Sequence, residues 1–434
     1  MTAFPGFDPF ERRISEAFEE ITDARRPDYL DDILQLTART SQRPRWTFPE
    51  RWLPVDLATR RPTALMGVRL RPMLLFIALA LVLAALAASY VGSQRTPLPF
   101  GLARNGLIAY PKDGALYVRN ALDADGHLIL RGEGTLSSPY FSPDGKLLGY
   151  VQTIAGVDHL MVANADGSNV RELLKMPVGD WNAVWRPDSR ALAAVVQANL
   201  SPRLSIVPID GSAPTPIELG SAVPTTDLAW RPPAGEDLLV RGRRDDRTVD
   251  MFIVPGDGSP VHALGLPSEL LFGTDWDNSG PVWTLDGARI AYNRVAIDPA
   301  SGITNFRVHI VNADGTGDQA LPGPADPKVM EAWPAFSPDG RTILVHRWTW
   351  KSNNGGEGWV AVLPADGSGP ARDIGPRIPG GEDTGLIKTW SPDGTRVLMR
   401  SDNTREAFSI DPMTGAYERL DWTSDLPDWQ RVAR

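Results

Sequence analysis

Acidic residues and tryptophans recur in short segments at one end of a repeated, strand-rich unit. A carboxylate attracts a cationic group and an indole packs against a flat apolar surface, so the combination favours a mildly acidic, aromatic-rimmed binding site. Such a site suits a peptide, a cationic group or a glycan. The structural alternative is that the tryptophans pack between sheets while the acids are solvated at the rim. The residues predicted to bind a ligand are Asp180, Trp181, Asp227, Asp275, Trp276, Asp277, Glu331, Trp348, Trp350 and Lys351.

Covalent and metal chemistry find little support in the sequence. The chain has no cysteine, which excludes disulfides, thiolate zinc sites and cysteine nucleophiles. The serine-hydrolase motif Gly-x-Ser-x-Gly does not occur, and no histidine has a partner at metal-ligand spacing. Asp123 and Asp125 precede Gly126 as in a calcium loop, but the other ligands are missing and a hairpin turn is favoured. We therefore predict no catalytic residue, no metal and no cofactor. The alternative is a hydrolase or lyase whose site forms at the centre of the assembled domain.

The candidate binding residues are positioned by a repeated unit. Each copy has an aromatic or apolar residue, a turn of the Ser-Pro-Asp-Gly type and then alternating apolar residues. Proline presets the first turn position and glycine accepts a positive φ, so each copy predicts a tight β-hairpin. A second Asp-Gly turn follows each copy, and two hairpins make the four antiparallel strands of a propeller blade. The copies are residues 140–151, 184–196, 229–240, 282–292, 335–346 and 389–400.

The signature Trp-Ser-Pro-Asp-Gly, complete at residues 390–394, resembles the TolB-type, WD40-like (PD40) propeller family over roughly residues 105–431. The resemblance implies protein–protein interactions in the cell envelope. Strand-like segments precede the first full copy, and residues 426–430 resemble the opening of another copy. Pairing of this last strand with the first ones predicts an all-β, seven-bladed β-propeller, with six blades as the alternative.

An uncharged apolar segment predicts one transmembrane helix, residues 73–92, which is long enough to cross roughly 30 Å of hydrocarbon. Arg60, Arg61, Arg69 and Arg71 precede it, so the positive-inside rule predicts a cytoplasmic N-terminus and an extracytoplasmic propeller in the cell membrane. The apolar residues expected to form the span are Met73, Leu74, Leu75, Phe76, Ile77, Leu79, Leu81, Val82, Leu83 and Leu86.

The N-terminal residues predict a small cytoplasmic helical segment, residues 1–41. Phe10, Ile14, Phe18 and Ile21 recur at helical spacing and form one apolar stripe. Residues 42–72 form a basic and aromatic juxtamembrane linker, and residues 93–104 link the span to the propeller. The layout resembles that of membrane-anchored anti-sigma factors, although their zinc-binding His/Cys motif is absent.

The formal net charge of −9 argues against nucleic-acid binding, which needs a basic face. Our main hypothesis is a non-enzymatic sensor or scaffold whose propeller binds an extracytoplasmic protein, peptide or glycan. The alternative is an anti-sigma-type transcription regulator in which residues 7–40 capture a cytoplasmic factor.

Overall fold

The computed structural model describes residues 77–82, 96–177, 181–198, 201–244, 248–266, 280–297, 304–349, 356–380, 386–401, 403–423 and 425–434. Contacts divide the chain into two units, Met1–Ala87 and Ala88–Arg434. The cytoplasmic helices and the juxtamembrane linker predicted for residues 1–72 lie outside the described residues, as does the factor-binding segment 7–40.

Of the predicted membrane span, the structure describes residues 77–82, which are helical, and their side chains are exposed. Among the described residues, no helix has both the length and the apolar character needed to cross a bilayer. Met73, Leu74, Leu75, Phe76, Leu83 and Leu86 fall outside the described part, so the transmembrane helix stays a prediction.

The second unit consists, over its described residues, of seven four-stranded antiparallel sheets. Blade 1 contains β1 (Arg104–Lys112), β2 (Ala115–Arg119), β3 (His127–Leu130) and the closing strand β28 (Asp428–Val432). Blade 2 contains β4 (Thr135–Phe141), β5 (Leu147–Ile154), β6 (Val157–Asn164) and β7 (Arg171–Pro177). Blade 3 contains β8 (Trp181–Trp185), β9 (Ala191–Ala198), β10 (Ser201–Pro208) and β11 (Thr215–Ile217). Blade 4 contains β12 (Val223–Trp230), β13 (Leu238–Arg243), β14 (Val249–Val254) and β15 (His262–Ala263).

The remaining three blades follow the same order. Blade 5 contains β16 (Val282–Trp283), β17 (Arg289–Ile297), β18 (Thr304–Asn312) and β19 (Gln319–Ala320). Blade 6 contains β20 (Val329–Phe336), β21 (Thr342–Thr349), β22 (Glu357–Pro364) and β23 (Arg372–Pro379). Blade 7 contains β24 (Leu386–Trp390), β25 (Val397–Ser401), β26 (Ala407–Ile410) and β27 (Tyr417–Leu420).

Ring closure occurs as the sequence predicted. The closing strand β28 pairs antiparallel with β1, with Ile108 opposite Trp429 and Arg104 opposite Val432, in the sheet order β28-β1-β2-β3. The last strand of the chain therefore completes the first blade, and the count is seven rather than six. Closure also pairs an edge that would otherwise be free to recruit another strand.

Neighbouring blades share hydrophobic cores, so the two middle strands of each sheet are apolar on both faces. Between blades 1 and 2, for example, Ala109 and Leu116 pack with Leu136 and Leu148. The outermost strands are largely exposed, as in β15 and β19. The strand nearest the ring axis is therefore the first strand of blades 2 to 7 and β28 in blade 1. Three of the repeated tryptophans bond to the preceding blade: Trp185 Nε1 donates to Tyr140 O at 3.3 Å, and Trp283 and Trp390 donate to Ala229 O and Ala335 O at 3.2 Å. Each of these tryptophans therefore joins its blade to the one before it.

The Asp-Gly turns build the hairpins through internal hydrogen bonds. In blade 2, Ser142 Oγ donates to Asp144 Oδ1 at 2.6 Å, and Gly145, with φ of 72°, closes the turn by donating its N–H to Ser142 O at 2.8 Å. Strand direction alternates within a blade, so the turns that join first to second and third to fourth strands emerge at one face. We call this the turn face. The opposite face, with the other connections, is the loop face.

Candidate functional site

The structure describes the side chains of three predicted ligand-binding residues: Asp227, Glu331 and Trp348. All three are buried, so they lie beneath the loop face and are not part of its exposed surface. Trp181 is the first residue of β8, but its side chain is outside the description. The other predicted residues, Asp180, Asp275, Trp276, Asp277, Trp350 and Lys351, lie outside the described residues, so their role stays a prediction.

Asp227 belongs to a buried ion pair. Its Oδ2 lies 2.6 Å from Arg241 Nε, and the two side chains are 2% and 6% exposed. Asp227 lies on the inner strand β12 and Arg241 on the adjacent strand β13, so the pair joins the two strands near the loop face. An unpaired charge at this depth would carry a large desolvation penalty. Neither of the sequence alternatives described this position, because the acid is neither open to a ligand nor solvated at the rim.

Glu331 has the same relation to the next strand in blade 6. Its Oε2 accepts a hydrogen bond from Arg347 Nε at 2.8 Å and lies 2.7 Å from Arg347 Nη2. Arg347 also donates to Asp373 Oδ1 on the outer strand β23 at 3.0 Å, which joins three strands of the blade. Burial raises the pKa of Glu331, and the guanidinium of Arg347 acts in the opposite direction. The carboxylate is thus held by its partner at a site that disfavours charge.

Trp348 packs in an aromatic cluster on the same two strands. Its ring stacks on Trp333 with centroids 5.3 Å apart, and Trp333 stacks on His346 at 4.7 Å. Phe306 of blade 5 completes the cluster at 5.5 Å from Trp348, and the members are at most 8% exposed. Trp333 has a φ of 57°, and its N–H donates to Asn293 Oδ1 of blade 5 at 2.6 Å. The cluster packs blade 5 against blade 6 below the loop face.

Four consecutive blades place an arginine at the same position of the second strand, a feature that the sequence analysis missed. Each is partnered by a carboxylate: Arg241 by Asp227, Arg294 by Asp318, Arg347 by Glu331, and Arg400 by Asp425. The arginines recur at identical intervals along the chain, which was the available signal. The partners come from different elements, so the carboxylate positions do not repeat and the pairs could not be assigned from sequence.

The histidines are held in separate blades. His309 Nδ1 lies 2.9 Å from Asp318 Oδ1, which also accepts a hydrogen bond from Tyr292 Oη at 2.8 Å. Burial lowers the pKa of His309, against the opposing effect of the Asp318 carboxylate. His159 Nδ1 lies 2.8 Å from Glu172 Oε2 in blade 2. Within the described residues, no three His, Asp or Glu side chains converge as metal ligands would.

The chain enters the propeller across the turn face through residues 98–103, which we call the entry strap. Arg431 Nη2 of the closing strand donates to Leu98 O at 3.1 Å and to Gly101 O at 2.7 Å. Ala103 N donates to Pro392 O, in the first hairpin turn of blade 7, at 2.9 Å. The strap is therefore bonded to the first and last blades of the ring.

The strap also contacts the turns between these blades. A Cβ added at Gly101 would lie 3.7 Å from Leu285 Cδ1 of blade 5 and 3.8 Å from Pro338 O of blade 6, and one added at Gly235 of blade 4 would lie 3.3 Å from Phe100 Cε2. First hairpin turns surround the axis of a propeller, because they follow its innermost strands. A short segment that touches the turns of blades 4, 5, 6 and 7 must cross that axis. The entry strap thus lies over the ring axis at the turn face.

Comparison with solved structures agrees with the propeller architecture. The tricorn protease matches with a TM-score of 0.51 at 10% identity, covering 78% of this chain and 35% of that one. A prolyl endopeptidase matches with a TM-score of 0.51 at 15% identity, covering 74% and 50%. TolB from Acinetobacter baumannii matches with a TM-score of 0.46 at 13% identity, covering 74% and 81%.

This chain spans about a third of the tricorn protease and half of the prolyl endopeptidase that it resembles. No family model matches the sequence, and no curated protein matches it either. Similarity at these identities shows a shared fold alone. The chain is a seven-bladed β-propeller in its second unit, and its membership of the TolB-type family stays a prediction.

Proposed function

We propose that this protein is a membrane-anchored, non-enzymatic sensor or scaffold whose loop face binds an extracytoplasmic protein, peptide or glycan. The observation that carries the proposal is the entry strap. Because the strap lies over the ring axis at the turn face, we place the binding surface at the loop face. The loop face also bears the connections of variable length, where binding residues of a propeller are usually found.

The short length of chain between the predicted span and the strap supports binding at the loop face. Residues 92–97 can extend at most about 20 Å, so a span that ends near Val91 leaves only a short tether to the turn face, and we place the partner at the opposite, loop face. His159, His309 and the turn aspartates support a non-enzymatic role, since they are engaged in hydrogen bonds that stabilise the blades.

The predicted membrane topology, with a cytoplasmic N-terminus and an extracytoplasmic propeller, is tested by thiol labelling, because the chain lacks cysteine and each introduced thiol is unique. Met413→Cys places a thiol in an exposed turn, since Met413 is 82% exposed, and Ser41→Cys places one in the predicted cytoplasmic segment. A membrane-impermeant maleimide should label intact cells at position 413, and label position 41 only after the membrane is permeabilised. Labelling at position 41 but not at position 413 in intact cells would refute the predicted membrane topology.

Binding at the loop face is tested by placing a photo-crosslinking residue at one of two exposed positions of the full-length protein. Val157 follows the loop-face connection of β5 and β6, and Met413 lies in a turn-face connection. We expect the same defined crosslinked band in repeated preparations from position 157 and none from position 413. Equal crosslinking from both positions, or none from 157, would contradict recognition by the loop face. Hydrolase or lyase activity of the purified protein on peptide or oligosaccharide substrates would favour the catalytic alternative.

A further inference from the structure

The junction between β1 and β28 differs from every other first-to-second strand pairing of the ring. In blades 2 to 7 the two strands are joined covalently by a hairpin turn, whereas in blade 1 they come from opposite ends of the propeller sequence. Their ladder has a register shift between Asn105 and Ile108, a feature it shares with the corresponding pairings of blades 2, 4 and 6. Opening the ring here breaks no turn, so this junction is where we expect the propeller to open at the lowest free energy.

Side chains of the closing strand reinforce the junction. Gln430 connects three elements, because its Oε1 accepts a hydrogen bond from Leu107 N of β1 at 3.0 Å and its Nε2 donates to Gly145 O of blade 2 at 2.6 Å. Asp428 Oδ2 accepts a hydrogen bond from Phe141 N of blade 2 at 2.7 Å. The strand is thereby fixed to its own blade and to the blade that follows.

Arg431, which follows Gln430 in the closing strand, bonds this strand to the entry strap. Arg431 donates from one guanidinium nitrogen to both Leu98 O and Gly101 O, and Arg104 Nε at the start of β1 donates to Ala433 O at 2.7 Å. Burial lowers the pKa of Arg431, so its charge is partly desolvated among the turns and depends on these carbonyl acceptors. The bonds to the strap are of the charge-assisted kind, which contribute more than neutral ones.

We propose that the entry strap and the closing strand form one coupled latch, in which release of either releases the other. The chain that precedes residue 98 is thereby connected to the junction that holds the ring closed. A displacement of that chain loosens β28, and a ligand that stabilises or opens the ring alters the hold on the strap. The inference goes beyond the proposed function, since it holds whatever the loop face binds.

The test is hydrogen exchange measured by mass spectrometry on the full-length protein in detergent, with peptides that cover residues 98–104 and 428–432. Arg431→Ala removes both strap bonds, and we expect exchange to accelerate at least about tenfold in both peptides. The matched control is Arg372→Ala. Arg372 also donates from the turn face to a backbone carbonyl, that of Pro412, and no hydrogen bond from it to the strap is described. This control should leave both peptides unchanged.

A second variant tests the coupling from the other side. Gln430→Ala removes the bridge from β28 to blade 2 without touching the strap, yet coupling requires the strap to exchange faster too. The coupling is refuted if Arg431→Ala loosens the strap while β28 keeps its protection, or if Gln430→Ala loosens β28 alone. An equal acceleration in Arg372→Ala would also overturn it, because the effect would then be a general loosening of the ring.

Discussion

Replacing Asp428 by asparagine should stabilise the propeller at neutral pH. Asp428 is the first residue of the closing strand, and its carboxylate accepts a hydrogen bond from Phe141 N of the next blade. It lies deep within the ring, and this burial raises its pKa from 3.8 to about 6, against the opposing effects of the Phe141 and Trp429 N–H groups and of Arg431. The ionised carboxylate is therefore disfavoured in the folded state. Asparagine keeps an oxygen that can accept from Phe141 and carries no charge.

The sign and size follow from linkage between folding and protonation. Because the folded pKa lies above the unfolded one, the contribution of Asp428 to stability is full below about pH 4 and is lost as the pH rises through about 6. A shift of about 2 pKa units corresponds to about 3 kcal/mol. Asp428 retains some accessible surface even though it lies deep in the ring, and solvent there lowers the penalty. We therefore expect Asp428→Asn to gain about 1–3 kcal/mol at pH 7.5 and little at pH 3.5.

The measurement is urea denaturation of the full-length protein in detergent from pH 3.5 to 8, followed by tryptophan fluorescence. Asp286→Asn is the control of opposite sign, because the hydrogen bond from Thr284 Oγ1 lowers the pKa of Asp286. That variant should lose stability at neutral pH relative to the wild type. The reasoning about Asp428 fails if its asparagine variant is less stable than the wild type at pH 7.5, or if the two curves stay parallel across the whole range.

Further substitutions test the buried ion pair and a turn. Arg241→Ala leaves the Asp227 carboxylate buried without its cation, and it should lower the free energy of unfolding by about 3–5 kcal/mol in urea. The double variant Asp227→Leu, Arg241→Met should recover most of that loss, and a double variant as unstable as the single one would argue against an uncompensated charge as the cause. Gly287→Ala brings a Cβ to 2.0 Å from Pro232 O at a φ of 66°, whereas Gly258→Ala, at a φ of 80°, meets no atom within 4 Å. Thermal unfolding should show a loss of about 1 kcal/mol for Gly258→Ala, from the backbone conformation alone, and a clearly larger loss for Gly287→Ala. Equal losses would contradict the steric argument.

The propeller was predictable because its information is local and repeated. Turns such as 142–145 fix a hairpin by their own residue types, and the apolar residues that follow each turn supply strands that can be buried on both faces. Repetition then leaves few architectures, and the strand-like ends at residues 105–130 and 426–430 indicated how the ring closes.

The environment of individual polar side chains was not predictable in this way. Asp227 and Glu331 were placed near the loop face because they precede the predicted inner strands. Their burial, however, depends on which strand packs beside them. Their arginine partners lie on the next strand and recur at a constant interval, while the carboxylates do not. A sequence pattern that predicts an acidic binding site can therefore correspond to a set of buried ion pairs.

The sequence by itself determined the blades, since each depends on residues close together in the chain and on their repetition, and it indicated the strand that closes the ring. The pairing of that strand with β1 decided between six and seven blades. Tertiary structure alone decided the burial of Asp227, Glu331 and Trp348, and it decided the path of the entry strap across the axis. The physical reason is the distance along the chain between the partners. Arg431 meets Leu98 and Gly101 from the opposite end of the propeller, and such a contact exists only once the ring has closed.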